Sequence, residues 1–128
     1  MAGNIDQPHS NNVIDASLGT ATIVATVTPL KLALMSVVGS NTAAGTEVTG
    51  GSYAAQSVAF SAASAGATSN SGAVTFSAMP AITTNGIELR DNSGTPKRKW
   101  LGNLAAAKTT GSGDTLTFAI GSVTVSMP

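Results

Sequence analysis

The stretch AITTNGIELRDNSGTPKRKWLGNL, residues 81–104, decides the fold. Ile87 and Leu89 fall on one side of an extended chain and Glu88 and Arg90 on the other, which is the two-residue period of a β-strand. DNSGTP (91–96) breaks the pattern. Asn, Asp and Gly tolerate positive φ and Pro presets its own, so the segment reads as a hairpin turn. KRKWLGNL (97–104) then returns, with Arg98, Trp100 and Leu104 sharing parity.

Working outward from this antiparallel pair, TTGSGD (109–114) is a second turn. Beyond it Leu116, Phe118 and Ile120 occupy even positions, whereas Val123, Val125 and Met127 occupy odd ones. A one-residue slip would expose every later apolar side chain. The chain must therefore absorb an extra residue at Gly121–Ser122, by a bulge or a glycine kink where it bends from one sheet to another. Towards the N-terminus, GTEVTGGSYAAQSVAF (45–60) runs from a turn into a strand with Val58 and Phe60 on one face. SAASAGATSNSG (61–72) connects it to a strand in which Val74 and Phe76 alternate with small polar residues.

In LKLALMSVV (30–38), Leu30, Leu32 and Leu34 alternate with Lys31, Ala33 and Met35, and the flanking Pro29 and Gly39 leave little room for a helix. ATIVATVT (21–28) has a β-favouring composition with Ile23, Ala25 and Val27 on one face. Residues 1–20 are polar and show no sustained period, so they read as an extended arm, and an arm of this kind orders only where a neighbouring chain ties it down. No helix is expected anywhere. The expectation is all-β: an antiparallel β-sandwich, jelly-roll-like, of seven to eight short strands over residues 21–128, with an extended N-terminal arm over 1–20.

Composition limits what such a domain can do. Of 128 residues, 42% are hydrophobic but only 4% aromatic, so the core is assembled from Ala, Val, Leu, Ile and Met, and a small core of this kind gains from oligomerisation. Charged residues make up 9% of the chain, against about 25% in an ordinary soluble domain. The net charge is zero. A neutral surface rich in Ala, Ser, Thr and Gly suits packing against neighbours. With no cysteine there is neither a disulfide nor a thiolate metal site. MAGNIDQPHSNN has no basic and apolar leader pattern, and no apolar run approaches the length of a membrane span, so synthesis in a cytoplasm and no membrane partner are expected.

Catalysis lacks its parts. His9 is the only histidine, and although Asp6, Asp15 and Ser10 nominally complete a triad around it, nothing in an arm would fix their geometry. The carboxylates Asp6, Asp15, Glu47, Glu88, Asp91 and Asp114 are scattered singly. Glu88 and Asp91 flank Arg90 and read as surface ion pairs. No cofactor and no metal are expected, because a calcium cage or a carboxylate pair needs several acids at one place. The glycine pairs at 50–51 and 111–113 are turns, lacking the lysine and helix of a phosphate loop. PKRKW (96–100) is the one cationic cluster. With zero net charge and no second basic patch nucleic acid is disfavoured, and its cations are read as facing solvent or an adjoining subunit.

The succession TPLKLALMS, GTEVTGGSYAAQSVAF, SNSGAVTF and NGIELRDNSGTPKRKWLGNLAAAKTTGSGDTLTFAIGSVTVSM resembles small tailed-phage virion proteins of the tail-fibre-like and head-decoration type. The resemblance spans roughly residues 28–127. Glu47, Gly50, Gly51, Tyr53, Gln56, Val58 and Phe60 fit its first block, and Asn70, Ser71, Val74 and Phe76 its second. Gly86, Ile87 and Asp91 fit a third, and Gly113, Asp114, Leu116, Phe118, Gly121, Val123 and Val125 the last. Ala55 departs from the pattern, standing where Arg is common, and ELRD replaces a shorter run before the aspartate.

The resemblance implies a structural virion protein rather than an enzyme. The expected role is a capsid decoration (cement) protein on the outer head surface, bound to the major capsid protein and self-associating as a dimer or trimer. The alternative is a tail-tip or fibre-associated protein engaged in host or glycan attachment. Candidate assembly contacts are Ile5, Val13 and Ile14 in the arm and Lys97, Arg98, Lys99 and Trp100 at the start of the returning strand. Low charge and an arm suit repeated local packing.

Overall fold

Alternation around the 91–96 turn yields the two longest strands of the structure, a computed structural model that describes residues 4–127. These are β7 (Ile82–Arg90) and β8 (Arg98–Thr110). In chain order the other elements are β1 (Asn4–Ile5), α1 (Gln7–Ser17), β2 (Leu30–Val37), β3 (Thr46–Glu47), β4 (Gln56–Val58), β5 (Ala67–Ser69), β6 (Val74–Met79), β9 (Asp114–Phe118) and β10 (Thr124–Ser126). All pairing is antiparallel. The main sheet runs β1-β8-β7-β2-β3, with β4 beside β3 on the same edge of β2, and two ribbons stand apart, β5 with β10 and β6 with β9. Among the described residues ten strands replace the expected seven to eight, because β1 and β3 are two-residue pairings too short to show a period.

The core lies between the main sheet and the ribbons. Leu32, Leu34, Ile87 and Leu89 from the sheet meet Val74, Phe76, Met79 and Val125 from the ribbons in one buried cluster. That is a sandwich-like, all-β packing, as the alternation predicts. Phe76 is its centre, stacked on Tyr53 at 5.9 Å between ring centroids and edge-on to Phe118 at 6.1 Å. The change of parity at Gly121–Ser122 is real and is resolved by a turn: β9 ends at Phe118, Gly121 takes φ +79, and β10 begins in the other ribbon. Ile120 therefore projects into solvent instead of joining Phe118 inside.

The N-terminal segment differs from the extended arm. β1 pairs with β8, Ile5 opposite Trp100, and α1 follows as an eleven-residue helix. Pro8 lies in its first turn, where a missing N–H costs nothing, and Gly19 with φ +73 closes its C-terminus beyond Leu18. So short a helix is marginal alone. It is held by docking, Gln7 N–H donating to the Asn41 carbonyl and Asp6 N–H to that of Lys99.

Residues 22–27, within the stretch expected as a strand, contain no helix, turn or bend but belong to no sheet. The reason is topological. One edge of β2 is taken by β7 and the other by β3 and β4, so the stretch that precedes β2 finds no open edge beside it.

Candidate assembly surface

Burial of both faces of the main sheet determines which side chains remain for outside contacts. On the face away from the core, Ala33, Met35, Glu88 and Leu101 are also buried, and Arg98 fastens the N-terminal segment and the 38–45 loop to this face. Close approach is built in at Gly86, where a Cβ would run into the Val38 side chain and the Gly102 carbonyl. A buried acid there needs partners, and Glu88, only 3% exposed, has two. Its Oε2 lies 2.7 Å from Arg90 Nη2 and its Oε1 3.2 Å from Arg98 Nη1.

The pair extends into a chain of charges. Arg90 Nη1 reaches Glu47 Oε2 at 2.8 Å, and Arg98 Nη2 reaches Asp6 Oδ1 at 2.6 Å. Arg98 also donates to the carbonyls of Ser40 and Ala43. At the other end the Tyr53 hydroxyl donates to Glu47 and accepts from Leu34 N–H. Burial pushes the Tyr53 phenol far above its ordinary range, and the neighbouring Glu47 adds to the rise, so it stays neutral. The Arg90 guanidinium is held above its ordinary value, since hydrogen bonds to Glu47 and Glu88 outweigh the desolvation that opposes them.

This corrects two expectations. Glu88 and Asp91 are buried rather than surface ion-pairing groups, and of the KRK cations only Lys97 faces solvent. A register shift between Leu89 and Arg90 accounts for the second point. It leaves Lys99 without a counterpart on β7 and sets Arg98 opposite Arg90, on the side away from Trp100. Lys99 is buried with its Nζ 3.9 Å from Asp91 Oδ2. Asp91 Oδ1 closes the hairpin turn by accepting from Lys97 N–H, Ser93 N–H and the Ser93 hydroxyl.

The seven expected contact residues therefore come together only in part. Ile5, Arg98, Lys99 and Trp100 meet at the β1–β8 pairing, and His9 approaches the Trp100 ring edge-on at 6.4 Å. Asp6, His9 and Asn12 face Lys97, Arg98 and Lys99 across a cleft of about 390 Å³. Burial lowers the His9 pKa below its ordinary value, and the charge of Lys99 works in the same direction. Val13 is half-buried on α1, Ile14 is exposed one turn before the helix end, and Lys97 is exposed at the hairpin. Internal pairing thus consumes most of the polar members of the set.

What remains outside includes a group of apolar side chains close together in the chain. Ile14 and Leu18 are one helical turn apart, and Ile23, Val24 and Val27 follow in the unpaired stretch. Their exposures of 73% at Leu18, 58% at Ile23, 57% at Val24 and 48% at Val27 are high for such side chains. No charged residue lies between Asp15 and Lys31. Of these five, only Ile14 is among the contacts expected from the sequence. The available signal was that Ile23 and Val24 are adjacent, so both faces of the stretch are apolar, which a half-buried strand does not require.

Among the described residues no helix is long and apolar enough to cross a membrane, and no group of three His, Cys, Asp or Glu side chains converges for a metal ion. Residues 4–126 match the family model described as Podophage GP4 fiber I protein gp80. No curated protein matches the sequence.

Proposed function

The chain belongs to the gp80 family of podophage fibre proteins, structural proteins of the virion, and on that premise we propose that it serves as a fibre subunit that works by adhesion between protein surfaces. The observation that carries this reading is the group of exposed apolar side chains from Ile14 to Val27, with no charge beyond Asp15, on a domain whose charges are mostly paired internally. Exposed apolar side chains gathered in one segment mark a place where another protein sits. Self-association and attachment to other virion proteins are the partners of this reading, and it involves neither a cofactor nor a reaction.

Decoration of the outer head surface, with the major capsid protein as partner, is a second reading. It is favoured by the 9% charge content, which suits dense repeated packing over a lattice. The two readings differ in stoichiometry. A fibre subunit is present in a few to dozens of copies per particle and a cement protein in hundreds. Quantitative mass spectrometry of purified virions, scaled to the major capsid protein, separates them, and absence from the particle overturns both.

A further inference from the structure

We propose that residues 21–27 form an intersubunit strand that pairs edge to edge with a second copy of this chain. The inference rests on the reading of the protein as a virion subunit. Thr22, Ile23, Val24, Ala25 and Thr26 are extended, yet among the described residues their backbone N–H and C=O groups have no hydrogen-bond partner. The stretch is tethered only at its ends. Thr20 and Ala21 N–H donate to the Asp15 carbonyl, and Asn92 N–H donates to that of Val27.

The occupant follows from this chemistry. Covering Ile23, Val24 and Val27 with a smooth apolar surface would strand five consecutive peptide groups away from water, a penalty that only a partner offering its own backbone avoids. Lipid offers none. Nucleic acid would need cations, and there are none between Asp15 and Lys31. The partner must therefore present an unpaired strand that is as neutral and as apolar as this one. The chain itself carries such a strand in the same seven residues, so two copies satisfy each other's backbone and cover each other's side chains. Ile14 and Leu18, on the adjoining end of α1, extend the covered surface.

The test uses the full chain in solution. Sedimentation equilibrium is expected to show an oligomer, and hydrogen exchange to show the Thr22–Thr26 amides slowed about 10-fold or more in the assembled form relative to a free chain. Val24→Pro, which removes a donor without touching the core, is expected to give a monomer with unchanged circular dichroism. Should that variant misfold, Ile23→Lys places a charge in the strip without altering the backbone and is expected to dissociate the oligomer equally. A wild-type monomer at high concentration overturns the inference. So does an oligomer whose Thr22–Thr26 amides exchange freely, or one that persists in the folded variants. A monomer still found on the fibre leaves the proposed function standing, whereas an oligomer absent from virions removes that function and keeps the pairing.

Discussion

Arg98 and Asp6, 92 positions apart in the chain, meet at 2.6 Å and fasten the N-terminal segment to the main sheet. The same guanidinium contacts Glu88, the most deeply buried acid of the network, and the carbonyls of two residues in the 38–45 loop. One side chain thus ties three parts of the molecule together. Arg98→Ala leaves Asp6 and Glu88 with uncompensated charge, and removal of one partner from a buried pair costs about 3–5 kcal/mol. Urea titration of that variant should give a correspondingly lower midpoint. A loss below about 1 kcal/mol, the range of exposed pairs, would show the network to be solvated.

Asn70 plays the equivalent part in the ribbons. Its Nδ2 donates to the carbonyls of Gly72 and Ala119, and its Oδ1 accepts from Val123 N–H at 2.9 Å. This clamps the turn between β9 and β10 to the end of β5. Asn70→Ala orphans a buried backbone donor and two carbonyls, at about 2–3 kcal/mol. Thermal unfolding followed by near-ultraviolet circular dichroism is the measurement, with Asn70→Ser expected to fall between the variant and the wild type.

Asp91 sets an acid limit on stability. Burial alone would raise its pKa, but hydrogen bonds from Lys97 N–H and Ser93, helped by the charge of Lys99, hold it below the ordinary carboxylate value. An acid whose folded pKa is depressed stabilises the fold fully above its unfolded pKa, about 3.9, and loses that contribution as pH falls from there through the folded value. Asp91→Asn removes this term. Melting temperatures between pH 6 and pH 3 should fall less steeply in the variant than in the wild type, and parallel curves would contradict the assignment.

Tyr53→Phe keeps the stack on Phe76 but deletes the hydroxyl that serves Leu34 N–H and Glu47. The expected loss is about 1–2 kcal/mol, the cost of leaving a part-buried donor unmet. Chemical denaturation at neutral pH reads it directly.

Strand alternation and turn chemistry are local properties, and wherever the fold depends on them the sequence is legible. The 82–110 hairpin, the Leu30–Leu34 alternation and the parity change before Val123 all follow from neighbours within a few residues. Helix α1 was legible in a weaker sense. Pro8 and Gly19 bracket it, but Asn, Ser and His between them favour no helix, and its stability comes from contacts with Lys99 and Asn41. The charge network was not legible. Glu88 and Arg98 are 10 positions apart and Arg90 and Glu47 are 43 apart, and nothing local says that they converge.

The apolar strip was misread for a related reason. A β-favouring composition in ATIVATVT describes what the backbone prefers, and is silent on whether an edge is free to receive it. Gly50 and Gly51, with φ of +106 and +57, do bear out the reading of that glycine pair as a tight turn, and a Cβ on Gly51 would lie 2.6 Å from the Ala78 carbonyl.

The central claim is that this protein acts as a structural subunit of the phage fibre. Immunogold labelling of purified virions tests it most directly, with antibody raised against the folded domain and particles viewed by electron microscopy. Gold confined to the fibres of the particle is the result predicted here. Gold distributed over the head, or particles that carry none, would contradict it.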